Sequence, residues 1–116
     1  MNETQASSIS ENLIQAANQV LHLVARIELF GSMARGAMRP NDCDLAIVSM
    51  TPHKSPQWGE LRLAMPLIVD ATTQNLGLPV NIVLLTPGEW DELRPKFFLS
   101  SICLFSRGCV CEGYLN

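Results

Sequence analysis

Asp42 and Asp44 stand one residue apart in the stretch LFGSMARGAMRPNDCDLAIV (29–48), close behind a glycine-rich turn. On a strand, side chains alternate between faces, so this spacing sends both carboxylates to one side and Cys43 to the other. Two carboxylates held side by side repel each other, and a hard divalent cation removes that repulsion. Mg²⁺ prefers oxygen ligands and commonly takes one or two carboxylates together with substrate phosphates. Upstream, Gly31 lets backbone approach a ligand closely, Ser32 offers a hydroxyl, and a helical turn starting there would aim free amides at an anion. The pattern describes a phosphate cradle and a metal clamp on adjacent strand ends.

Arg35 and Arg39 lie in the connecting loop, where they can neutralise phosphate or simply be solvated. His22 falls in the first helical segment and His53 in a proline-flanked loop, and no Ser/His/Asp or Cys/His arrangement is visible in the spacing. Trp58, Trp90, Phe97 and Phe98 lie near helix starts and are expected to pack the core.

These groups need a scaffold. Ser8 and Glu11 match a capping box, and Ile9, Leu13, Ala17, Val20 and Val24 recur at helical spacing, which predicts a helix over 9–24. RIELF (26–30) and DLAIVSM (44–50) read as strands. Ser55 and Pro56 mark the start of a second helix that continues to Gly77, and Pro66 is expected to kink or split it. LPVNIVLL (78–85) reads as a buried third strand. Thr86, Pro87 and Glu89 then supply a capped start for a short helix to about Arg94. A break at Pro95, a further helix over 96–107 and a cap at Gly108 are expected to follow, and CVCEGYL is a candidate edge strand. The order αββαβαα, with a last β, implies a layered α/β fold without repeats or linkers.

At 116 residues, 47% hydrophobic and 16% charged, the chain is expected to form one domain over 1–116. No apolar run reaches the roughly 20 residues that span a bilayer. The polar N-terminus lacks a signal-peptide pattern, so a cytoplasmic location is expected. Cys43, Cys103, Cys109 and Cys111 are few for a disulfide framework, and reduced, buried thiols are expected. A net charge of −3 argues against nucleic acid as a direct ligand.

Gly31-Ser32-Met33-Ala34-Arg35-Gly36 followed by Arg39-Pro40-Asn41-Asp42-Cys43-Asp44-Leu45 resembles the signature of the minimal nucleotidyltransferases of the DNA polymerase β superfamily. LGLPVNIVLL is similar to that family's third active-site strand and FSRGCVCEGY to its C-terminal end. The resemblance implies a polymerase β-like palm of α+β type, a small mixed sheet of three or four strands packed against helices. It implies Mg²⁺-dependent transfer of a nucleoside monophosphate from an NTP, ATP foremost, to a hydroxyl acceptor. Carried over, Gly31, Ser32, Arg35 and Gly36 bind the nucleotide, Asp42 and Asp44 hold the metal, and Asp42, Asp44 and Asn81 form the catalytic set. Two subclasses follow from the resemblance: the antitoxin partner of a HEPN-type ribonuclease toxin, and an aminoglycoside-type nucleotidyltransferase. The short chain favours the first, with a partner chain or homo-oligomer completing the cleft.

The chain departs from the family at Met33, where a basic residue is frequent, and at Asn81, where the third carboxylate stands. An amide can coordinate a metal through oxygen, but it carries no charge and cannot act as a base near neutral pH. A two-metal site reduced to one, and a weakened module that binds NTP or a partner without turnover, are therefore implied alternatives. Asp70, on the preceding helix, is the candidate substitute for the missing carboxylate.

Overall fold

Two strands, β1 (Val24–Phe30) and β2 (Cys43–Ser49), form the centre of the computed structural model, which describes residues 3–36 and 41–107, with side chains from Ser7 onward. They are flanked by β3 (Val80–Leu85) beside β2 and β4 (Ile102–Ser106) beside β1, giving the order β3-β2-β1-β4. β1 pairs antiparallel with β2 and β4, whereas β2 and β3 run parallel. A parallel pair needs a long crossover. It is supplied by α3 (Pro56–Leu76), which starts at Ser55, whose Oγ accepts from the Trp58 amide, and ends at Gly77 in the left-handed region.

The strand alternation builds two faces. Ile27 and Leu29 of β1 and Cys43, Leu45 and Ile47 of β2 are buried against Leu13 of α1 (Glu3–Ala16) and Leu61 and Ile68 of α3. On the opposite face, Ala46 and Val48 pack against Trp90 of α4 (Pro87–Phe97) and against Phe98. Helix α4 therefore covers the end of that face formed by Ala46 and Val48, and the end carrying Asp44 is left accessible.

Several elements differ from what the sequence periodicity predicts. The helix expected over 9–24 spans Glu3–Ala16, followed by a 3-10 turn at Leu21–Leu23, and Val24 already belongs to β1. Val20, Leu23 and Val24 are buried in turn and strand as they would be in a helix, so their periodicity does not separate the two cases. Ser8 and Glu11 lie inside α1 and form no capping box; the Ser8 carbonyl accepts from Asn12 Nδ2 at 2.9 Å. Pro66 does not split α3, and Pro95 does not end α4. Each proline and the residue four before it, Arg62 or Asp91, is exposed, so the freed carbonyl faces water.

The second expected helix over 96–107 is instead strand β4, whose residues pair with β1 from Leu29↔Ile102 to Arg26↔Ser106. β3 is an edge strand rather than a buried one, with Asn81 and Val83 exposed. The capping box of Thr86 and Glu89 is present as expected. Cys43 is a buried free thiol, whereas Cys103 is disulfide-bonded, against the expectation of reduced cysteines. Gly108 and CVCEGYL lie outside the described residues. Among the described residues no helix is long and apolar enough to cross a membrane.

Candidate functional site

Asp42 immediately precedes β2 and Asp44 is its second residue, so the alternation that buries Cys43 turns both carboxylates toward the half-covered face. Parallel pairing then brings in the third position. Asn81 is the register partner of Asp44 across β2 and β3. Its Nδ2 donates to Asp42 Oδ2 and to Asp44 Oδ1, both at 3.1 Å. Ionised carboxylates can only accept, so the amide must present its NH₂ to them. One neutral group thus bridges two anions. Among the described residues no cluster of three or more His, Cys, Asp or Glu side chains could hold a metal ion.

Gly31 opens the single-turn helix α2 (Gly31–Ala34) with φ +78°, a conformation that side-chain-bearing residues rarely adopt. A Cβ there would collide with Asp44 Oδ2 and stand 3.2 Å from Asp44 Cγ. Glycine is what lets the turn lie against the carboxylate. Ser32 is half-buried in α2, Arg35 caps it and is exposed, and Gly36 follows with φ +82°. Gly31 is thereby brought to the aspartates, and Arg39 lies outside the described residues.

Other candidates fall elsewhere. Asp70 is exposed on α3, which packs on the sheet face opposite Asp44, so it does not complete the acidic set. His53 follows the far end of β2, its Nε2 3.5 Å from Glu89 Oε1 and its ring against Trp58. Burial, reinforced by Asp44 and Asp42, pushes the Cys43 thiol up to about 12, which keeps it protonated and excludes it as a nucleophile at neutral pH.

One polar network joins residues that local sequence spacing does not connect. Glu28 of β1 is buried on the same face as Asp44, accepting from Arg26 Nη1 at 3.0 Å and from Ser101 Oγ at 2.7 Å. Its signal was present in RIELF, where a carboxylate alternates with core residues. Its partner Ser101 could not be placed while 96–107 was read as helix.

The nucleotidyltransferase domain family model matches residues 11–103. The chain belongs to the nucleotidyltransferase domain family. Its glycine turn, its Asp42–Asp44 pair and its Asn81 strand all lie within the matched span. No curated protein sequence matches this chain significantly. Among solved structures it is similar to a protein assigned as a minimal nucleotidyltransferase, at 24% identity and TM-score 0.56, covering 88% of this chain and 95% of the other. A toxin–antitoxin structure with AMP-PNP matches at 16% identity and TM-score 0.56, covering 85% and 74%. A Shewanella oneidensis complex of a tri-AMPylated HEPN toxin with its MNT antitoxin matches at 14% identity and TM-score 0.53, covering 87% and 72%. These likenesses establish the nucleotidyltransferase fold.

Proposed function

We propose that this nucleotidyltransferase takes a nucleoside triphosphate, ATP foremost, and transfers its nucleoside monophosphate to a hydroxyl of a HEPN-type partner protein. The observation that carries the reading is the convergence of Asp42, Asp44 and Asn81 beside the Gly31 turn. In the reaction an acceptor oxygen forms a bond to the α-phosphorus, the bond from that phosphorus to the α–β bridging oxygen breaks, and pyrophosphate leaves. The hydroxyl proton passes to solvent. The fold's likeness to toxin–antitoxin structures, one with AMP-PNP and one with an AMPylated toxin, supports the choice of nucleotide and acceptor.

The donor set fits one divalent cation. Asp42 Oδ2 and Asp44 Oδ1 already converge on one nitrogen, so a Mg²⁺ ion taking the place of that NH₂ group finds two anionic oxygens. Such an ion neutralises phosphate charge when bound. Gly31 and Ser32 position the phosphates, Arg35 and Gly36 close the turn around them, and Asp42 and Asp44 hold the cation. Asn81 leaves the site one negative charge short of what a third carboxylate would give, and it does not take the proton.

That substitution favours a second reading, a module that binds NTP without turnover. The two separate when the full chain, with a HEPN-type partner, is incubated with Mg²⁺ and α-labelled ATP. Label appearing on the partner, and lost in Asp42→Ala, supports transfer. Nucleotide binding without transfer, with activity gained by Asn81→Asp, supports the module. Mg-ATP binding undiminished in Asp42→Ala sinks both.

A further inference from the structure

Beside Gly31 the surface dips into a cavity of about 190 Å³ whose walls include Phe30, Arg35, Lys96, Phe97 and Ser100. Two cations from separate elements, the cap of α2 and the last turn of α4, face one small space. Three other arginines are committed: Arg26 to Glu28, Arg107 to the carbonyls of Val24 and Leu21, and Arg94 to the Trp90 ring. Neither Arg35 nor Lys96 forms an ion pair among the described residues. Glu28, which meets the cavity wall through Ser101, is already held by Arg26. A lysine in a last helical turn complements the helix dipole. That role does not explain why it shares a cavity with Arg35, because like charges converging on one space repel unless an anion lies between them.

The charge layout is bipolar across Gly31. On one side stand the Asp42 and Asp44 carboxylates, which suit a cation, and on the other the Arg35 and Lys96 cavity, which suits an anion. A polyphosphate chain needs both, a cation near its reacting phosphate and fixed positive charge along its tail. We propose that Arg35 and Lys96 form the subsite for the distal phosphates of a nucleoside triphosphate whose α-phosphate lies at the Asp42–Asp44 pair. Lys96, contributed from α4, then holds the pyrophosphate as it leaves. The inference rests on the nucleotidyltransferase reading above and adds to it a residue from outside the glycine turn.

Titrating the full chain and Lys96→Ala with Mg-ATP, Mg-ADP, AMP and pyrophosphate by calorimetry tests it. Lys96 is exposed, so the variant is expected to fold, with an unchanged thermal midpoint. Its affinity for ATP and pyrophosphate should fall about tenfold, as for the loss of one charge-assisted hydrogen bond, while AMP changes by less than about twofold. Lys96→Arg should restore ATP binding. Equal losses for ATP and AMP would assign the cavity to the nucleoside and overturn the proposal. ATP binding that depends on Asp42 but is unchanged in Lys96→Ala would also overturn it, leaving the nucleotidyltransferase reading intact. Wild-type protein that binds neither ATP nor pyrophosphate sinks both.

Discussion

Asn81 of β3 lies in register with Asp44 of β2, and its amide bridges Asp44 and Asp42 with two 3.1 Å hydrogen bonds. This bridge does without a metal what a cation would otherwise do, giving both carboxylates a donor. Replacing Asn81 by Asp removes the donor and adds a third negative charge. The expected outcome is a loss of about 1–2 kcal/mol in metal-free buffer, the sum of two modest hydrogen bonds and a screened repulsion. The same change should raise affinity for divalent cations. Thermal melts with EDTA and with millimolar Mg²⁺ check it: the variant should melt several degrees below wild type in the first and recover in the second. A variant as stable as wild type in EDTA would mean that the bridge contributes nothing.

Gly31 should tolerate no side chain. Its positive φ and the clash of a Cβ with the Asp44 carboxylate act together, so Gly31→Ala is expected to cost about 1–3 kcal/mol and abolish nucleotide binding. Gly59, inside α3, is the control, since a Cβ there meets nothing within 4 Å. Gly59→Ala should stabilise by about 0.5–1 kcal/mol through helix propensity alone. Urea unfolding of the two variants should move the midpoint in opposite directions.

The site was legible in the sequence to the extent that local spacing fixes it. Alternation on a strand put Asp42 and Asp44 on one face, and a glycine before a turn marked a close backbone approach, though what it approaches in the structure is the Asp44 carboxylate. The pairing of Asn81 with Asp44 is a long-range fact, set by the α3 crossover, and reached the sequence reading only through the family resemblance. The largest failure, a helix over 96–107, has a physical cause. Ile102–Ser106 is a short apolar run, compatible with either period, and what decides it is the free edge of β1 that it pairs with. That misreading hid the contact of Ser101 with Glu28, because it depends on where α4 stops and β4 begins.

The acid limb of the stability curve should carry a contribution from Glu89. The Thr86 amide donates to Glu89 Oε1 at 2.9 Å and, with smaller contributions from the Thr86 hydroxyl and His53, holds the carboxyl below its usual range. Its value in the unfolded chain is about 4.3. The folded state therefore binds fewer protons near that pH, so the contribution is fully present above about 4.3 and fades as pH falls through the lower folded value. Glu89→Gln keeps an acceptor for the Thr86 amide but should flatten this part of the profile. Thr86→Ala should cost about 1 kcal/mol at pH 7 by removing the cap. Urea midpoints at pH 7 and pH 3 check both; a Glu89→Gln profile parallel to wild type would rule the contribution out.

Glu28 should be the most sensitive polar position of the sheet. It is buried, with Arg26 and Ser101 as its partners among the described residues, and Arg26 in turn lies 5.6 Å from the Trp90 ring centre. Removing one member of a buried pair leaves the other charge without compensation, which costs about 3–5 kcal/mol when both are fully enclosed. The Arg26 side chain keeps 19% exposure and can turn partly to water. Glu28→Ala is therefore expected to cost about 2–3 kcal/mol, below that range. The Arg26→Met, Glu28→Leu double variant should cost less than the sum of the two single changes, because two apolar groups of similar volume leave no charge stranded. A double-mutant cycle by urea denaturation measures the difference. Strict additivity, with each single change costing under about 0.5 kcal/mol, would show that Glu28 and Arg26 act as independent surface charges.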